Sequence, residues 1–141
     1  MFVRRNPIAA YSEVGVETSV ASASPHKLIL LLFEGARAAL FTARLNMVEG
    51  NIAEKGAAIS KAIDIINNGL KASLDVEAGG NLAEQLSALY EYMLDRLLFA
   101  NLKNETAPLD EVLGLLGQIH SAWEEIADRP EVTGFVPKAM P

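Results

Sequence analysis

Hydrophobic residues along this chain recur at three- and four-residue steps in four long stretches, the signature of helices with one buried face. The first stretch, Pro25–Glu49, opens with Ser24-Pro25, a capping residue followed by proline at the first helical position, and closes at Gly50. Leu28, Leu32, Gly35, Ala39 and Ala43 share one face, and Ile29, Phe33, Ala36, Leu40 and Met47 lie on its flank. The same pattern puts Leu30, Phe41, Leu45 and Val48 among His26, Lys27, Glu34, Arg37 and Arg44, the only face left for solvent. Full burial of one such side chain is worth about 1.5–3 kcal/mol. Four left wet are therefore a surplus that folding alone does not absorb, and the chain reads as one that holds another polypeptide.

The second stretch is expected to run from an Asn51 cap to about Asp75, with Ile59, Ile63, Ile66, Leu70 and Leu74 inward. Ala58, Ala62, Ile65, Gly69 and Ala72 form a flat shoulder for a close neighbour. The third begins after Gly79-Gly80, where Asn81 and Glu84 are spaced as a capping box, and turns Leu82, Leu86, Leu89, Met93, Leu97 and Ala100 inward. The fourth starts near Thr106-Ala107-Pro108 and presents Leu109, Val112, Leu116, Ile119, Trp123 and Ile126. Connections of a few residues make sequential helices antiparallel neighbours. The expected fold is all-α, an antiparallel up-down four-helix bundle spanning residues 24–128. A leader, residues 1–23, precedes it with Ile8, Tyr11 and Val14 or Gly15 at helical spacing. A loose tail, residues 129–141, follows it.

At 141 residues the chain suits one domain with a sizeable core. Its start, Met1-Phe2-Val3-Arg4-Arg5, has no apolar run behind the charges and does not read as a signal peptide. No uninterrupted apolar run reaches membrane-spanning length, so a cytoplasmic protein is expected. Cysteine is absent, which fits a reducing compartment and excludes thiolate chemistry. The net charge is −6 and the cations are scattered apart from Arg4-Arg5, so no cluster is available to displace counterions from nucleic acid.

Catalytic and metal-binding patterns are equally thin. Di-iron bundles use Glu-x-x-His pairs, and none occurs here. His120 and Glu124 are expected to form a surface pair one turn apart, and Ser24 reads as a helix cap rather than a nucleophile. Gly79-Gly80 follows no strand and precedes no lysine at the spacing a phosphate loop needs. The expectation is a protein that is not an enzyme and carries no cofactor or metal. Tyr90 is expected at the core edge with its hydroxyl at water, Trp123 in the core, and Tyr92 on a binding surface.

The leader and helix starts carry an ordered set of fragments. Ile8-Ala9-Ala10-Tyr11, Val14-x-Val16-x-Thr18, Ala23-Ser24-Pro25-His26-Lys27-Leu28 and Leu32-Phe33-Glu34-Gly35-Ala36 come first. Gly50-Asn51, Lys61-Ala62-x-x-Ile65-Ile66, Leu74-Asp75, Gly79-Gly80 and Leu89-Tyr90-x-Tyr92-Met93 follow. Arg96-Leu97, Ala100-Asn101-Leu102, Glu111-Val112 and Ala122-Trp123 complete it. In this order, over about residues 8–127, the chain resembles the flagellar export chaperone family, FliS. It departs at Phe33, where many members carry tyrosine; the ring is kept and the hydroxyl lost.

The resemblance implies a cytoplasmic chaperone that binds the disordered C-terminal segment of flagellin, prevents premature polymerisation and keeps the subunit competent for flagellar type III export. It further implies a leader that covers part of an apolar groove until the client displaces it, which on this chain assigns Ile8 and Tyr11. Phe33 joins Leu30, Phe41, Leu45, Val48 and Tyr92 as expected client contacts. Asn67, Asn68 and Asn101 are expected to serve extended client backbone. Export-gate components are further expected partners. Three rival readings remain open on the residues alone: a metal- or cofactor-carrying bundle, an interaction module for a different partner, and a homodimer closed by the surplus face.

Overall fold

In the computed structural model, residues 24–125 are described; they form four helices, α1 (Pro25–Glu49), α2 (Ile52–Asp64), α3 (Val76–Lys103) and α4 (Thr106–Glu125). A π-helical stretch, Ile65–Lys71, continues α2. The α1 boundaries follow local chemistry. The Ser24 side chain accepts a hydrogen bond from the Lys27 amide at 3.1 Å, with proline in the first turn. Gly50 closes the helix at φ 83°, a conformation open to glycine without the penalty a Cβ would add. The Asn51 side chain does not cap α2, contrary to expectation; its amide donates to the Asn46 side chain at 3.0 Å and secures the α1–α2 turn.

Each helix packs against its two sequence neighbours, and α4 closes the ring onto α1. The pairings run antiparallel. Across α1 and α4, His26 at the start of one meets Trp123 at the end of the other, and Arg44 meets Asp110 at the opposite end. Across the second and third elements, Lys55 reaches Asn101 and Lys71 reaches Glu91. Leu32, Leu40, Ile59, Ile66, Met93, Leu97, Leu109 and Leu116 fill the centre, all fully buried. The alanine shoulder of α2 behaves as its composition implies: Ala58 and Ala62 are buried alongside Ala39 and Ala43 of α1.

Two expectations for the helix starts and windings need correction. The run from Asn51 is not one α-helix to Asp75, because its second half widens to π geometry. There the Ser73 hydroxyl donates to the Gly69 carbonyl at 2.6 Å and the Asn68 amide to Asp64 at 2.6 Å. The apolar steps Ile66 to Leu70 and Leu70 to Leu74 are compatible with either winding, so periodicity does not separate them. The third helix starts at Val76, with the Asp75 side chain accepting from the Ala78 amide at 3.2 Å. Gly80 then breaks it at φ 59°, ψ −138°. The Asn81 capping box is thus replaced by an Asp75 cap six residues earlier, and Leu82, expected in the core, is exposed while Ala83 takes the buried position. The helical period from Met93 back through Tyr90 and Leu86 arrives at Ala83 rather than at its neighbour.

Candidate functional site

The bundle leaves two kinds of apolar surface. The first is a ladder along the outer face of α1, where Phe41, Leu45 and Val48 are 56%, 57% and 65% exposed. Their i, i+4, i+7 spacing aligns them on one stripe. Ile52 continues it past the Gly50 turn, also exposed. A second exposed cluster, Leu98, Phe99 and Leu102, lies at the end of α3, with Leu102 80% exposed. Antiparallel pairing brings the end of α1, the start of α2 and the end of α3 to the same end of the bundle. The side chains of Leu45, Val48, Ile52, Leu98, Phe99 and Leu102 thus all lie near that end.

The second kind is a cleft at the opposite end, where α1 begins and α4 finishes. Ile29, Phe33, Leu70, Leu74, Leu86, Tyr90, Ile119 and Trp123 line it with Ser73, around a narrow space of about 30 Å³ that opens to solvent. The one hydroxyl group of Ser73 is already committed to Gly69, which leaves an almost wholly apolar interior. Both histidines of the chain stand behind its aromatic walls. His26 stacks on Trp123 with ring centroids 4.9 Å apart, and His120 on Phe33 at 5.4 Å.

His120 is buried, not the surface partner of Glu124 that the spacing implies; the two are 3.8 Å apart, too far for a hydrogen bond. Its Nδ1 lies 3.0 Å from Nη1 of Arg37. A guanidinium only donates, so Nδ1 is the acceptor and the ring proton resides on Nε2. This contact pins α1 to α4 beside the cleft. Tyr90 is likewise buried rather than at the core edge, and desolvation raises its phenol far above the ordinary tyrosine range. Trp123 is a core residue as expected, with its indole N–H donating to the His26 carbonyl at 3.3 Å.

The anticipated contact residues divide accordingly. Phe41, Leu45, Val48, Tyr92 and Asn67 reach solvent, whereas Leu30 is half-buried against the core. Phe33 is not a surface residue: it is buried to 1% exposure and meets the outside only as a wall of the cleft. Asn68 and Asn101 are half-buried rather than exposed. The Asn68 amide is bound to Asp64, and the Asn101 carbonyl accepts from Lys55 at 3.0 Å. Ile8 and Tyr11 fall outside the described residues.

Tyr92 donates to Glu111 at 2.5 Å, and Arg96 binds the same carboxylate at 2.8 Å while its guanidinium lies 5.1 Å from the centre of the Phe99 ring. The hydrogen bond from Tyr92, then that from Arg96, holds the Glu111 carboxyl below its usual range, and the same bond raises the Tyr92 phenol. Sequence reasoning missed Ile52, the Leu98-Phe99-Leu102 cluster and the buried Lys55. For Leu98 and Phe99 a signal was present, since both fall outside the Met93-Leu97-Ala100 stripe. For Lys55 there was none, because its burial depends on the α3 terminus it reaches across to.

Among the described residues, no group of three or more His, Asp or Glu side chains is placed to hold a metal ion, and no helix is long and apolar enough to cross a membrane. Fold and surface together define a helical-bundle protein with exposed apolar ladders and an apolar end cleft among the described residues. The family model for flagellar protein FliS matches residues 7–130. The chain is 54% identical over 122 residues to the flagellar secretion chaperone FliS of Salmonella typhimurium, covering 86% of this chain and 90% of that protein. It is 47% identical over 116 residues to FliS of Escherichia coli, covering 82% and 85%, and 48% over 117 residues to FliSB of Pseudomonas aeruginosa, covering 83% and 92%. The chain belongs to the FliS family of flagellar secretion chaperones.

Proposed function

We propose that this protein acts in the cytoplasm as a binding chaperone for the disordered C-terminal segment of flagellin, masking that segment until export, and that it performs no catalysis of its own. The observation that carries this reading is the Phe41-Leu45-Val48 ladder, a continuous apolar stripe that no helix of the bundle covers. A disordered client suits such a surface. It wraps a long shallow track, burying on the order of 1,000–3,000 Å² while about 2–5 kcal/mol of the gross interaction energy goes into ordering it. Helical stretches of the client would place their own i, i+3, i+4 anchors against the ladder. The Asn67 amide on the π-helical stretch and the Tyr92 hydroxyl give polar groups for extended stretches. Ile8 and Tyr11 are the leader positions that would cover apolar surface in the free protein, and export-gate components are candidate recipients of the loaded complex.

Titration calorimetry with a peptide spanning the flagellin C-terminal segment tests the reading. Phe41→Ser combined with Leu45→Ser should weaken binding at least tenfold while circular dichroism stays unchanged. Wild-type affinity in the folded double variant would refute the assignment of the ladder.

A further inference from the structure

Helix α3 stands diagonally across the ring from α1, packing on α2 with its π-helical continuation and on α4. Its outer face therefore looks away from the bundle on the side opposite the Phe41-Leu45-Val48 ladder. Near the end of that face Leu98, Phe99 and Leu102 are all exposed. Their i, i+1, i+4 spacing groups them on one side of the helix. The Phe99 ring is braced: the Arg96 guanidinium lies 5.1 Å from its centre and is itself fixed by Glu111 of α4 at 2.8 Å. An aromatic anchor already held in place loses little freedom when a partner packs on it.

At about 100° per residue, Glu84, Glu91 and Asp95 fall on the same outer stripe as Leu98 and Leu102, all of them exposed. No lysine or arginine of α3 shares that stripe. Lys103 sits about 100° round the helix from Leu102, and Arg96 is turned to Glu111. Lys71 offsets Glu91 at 2.9 Å, whereas Glu84 and Asp95 make no ion pair among the described residues. The stripe is thus apolar at one end and negative toward the other, about 27 Å long from Glu84 to Leu102.

This pattern selects the occupant. The carboxylates repel nucleic acid and an anionic lipid surface. A second copy of α3 laid along the stripe would set carboxylates against leucines in one direction and against each other in the opposite one. A helix of another protein matches both halves when it lays apolar anchors over Leu98, Phe99 and Leu102 and lysine or arginine along the rest.

We propose that the outer face of α3 is a second docking surface, built for a cationic amphipathic helix of a partner protein, and that it stays open while a client occupies the α1 ladder. The simultaneous occupancy rests on the ladder reading above; the surface on α3 does not.

The probe is a helical peptide of about 18 residues, the length of the stripe, with leucines in one half of its contact face and lysines in the other. Titrated by calorimetry into the full chain, it should bind at least tenfold more tightly than a matching peptide with glutamates in place of the lysines. Leu98→Ser with Leu102→Ser should weaken it at least tenfold while circular dichroism stays unchanged. Asp95→Lys should weaken the lysine peptide and strengthen the glutamate one, a reversal that loss of folding does not produce. Phe41→Ser with Leu45→Ser should leave the lysine peptide within twofold of its affinity for the parent chain, and so should saturation with the flagellin peptide. No binding of the lysine peptide, equal affinity for both peptides, or full affinity in the folded Leu98→Ser, Leu102→Ser chain overturns the proposal. Loss of the lysine peptide in the ladder variant, or its displacement by the flagellin peptide, overturns it too, since one surface would then serve both. The flagellin peptide's own affinity tests the ladder separately.

Discussion

The two ends of the bundle expose apolar surface in opposite ways. At the end where α1 begins, the walls of the cleft are core residues: Phe33, Leu70 and Tyr90 are buried and hold the helices together as well as lining the opening. At the other end, Phe41, Leu45, Val48 and Leu102 project from helices whose packing they hardly support. Side chains of one chemical type thus serve stability in one place and remain available in the other. The difference is topological. Four antiparallel helices bury one stripe each, and an apolar residue outside that stripe is left uncovered by the bundle itself.

This contrast predicts a graded set of mutational effects. Phe33→Ala should be the most damaging, costing about 3–5 kcal/mol in denaturant unfolding, because it opens a cavity behind the cleft wall and removes the ring stacked on His120. A loss below about 1 kcal/mol would mean that the cleft wall is not part of the core. Lys55→Met keeps an apolar stem but takes the donor from the Asn101 carbonyl, one of the last carbonyls of α3 that the helix itself cannot satisfy. The expected cost is about 1–3 kcal/mol. The same variant should accelerate hydrogen exchange at the α3 terminus, where a uniform change along the chain would contradict a local cap.

Smaller effects are expected on the open side. Phe41→Ser and Leu45→Ser should each leave unfolding free energy within about 0.5 kcal/mol of the parent, so that their cost falls on binding alone. Equal losses of stability and binding would erase the distinction between the two ends. Tyr92→Phe should have the least effect on folding and a specific one on titration. The native Glu111 carboxyl is depressed, chiefly by the Tyr92 hydroxyl, so its contribution to stability is present above the unfolded carboxylate pKa and is lost as pH falls through the folded value. Without that hydroxyl, the Glu111 side-chain signal followed by NMR should titrate at higher pH, closer to an ordinary glutamate. An unmoved midpoint would assign the depression to Arg96 instead.

Much of the fold was legible from periodicity and caps. Ser24, Pro25 and Gly50 bound α1 where local backbone chemistry requires, and the α1 and α4 stripes emerge buried with few exceptions. The open ladder was legible for the same reason: a helix of known winding has only one face to bury, and Phe41, Leu45 and Val48 fall outside it. Leu82 and Ala83 show the limit. Moving the helix start from Asn81 to Asp75, with a break at Gly80, changes which of two neighbouring apolar residues turns inward.

The amino-acid order by itself determined four amphipathic helices, their short connections and a greasy surplus, because all three follow from interactions within a few residues along the chain. Only the tertiary structure decided that His120 is buried against Phe33 and Arg37, that Lys55 serves a helix it does not belong to, and that the ends of α1 and α4 meet around an apolar cleft. Those outcomes depend on partners 46 to 97 positions away in sequence, and no local pattern specifies which distant group completes a hydrogen bond or closes a wall.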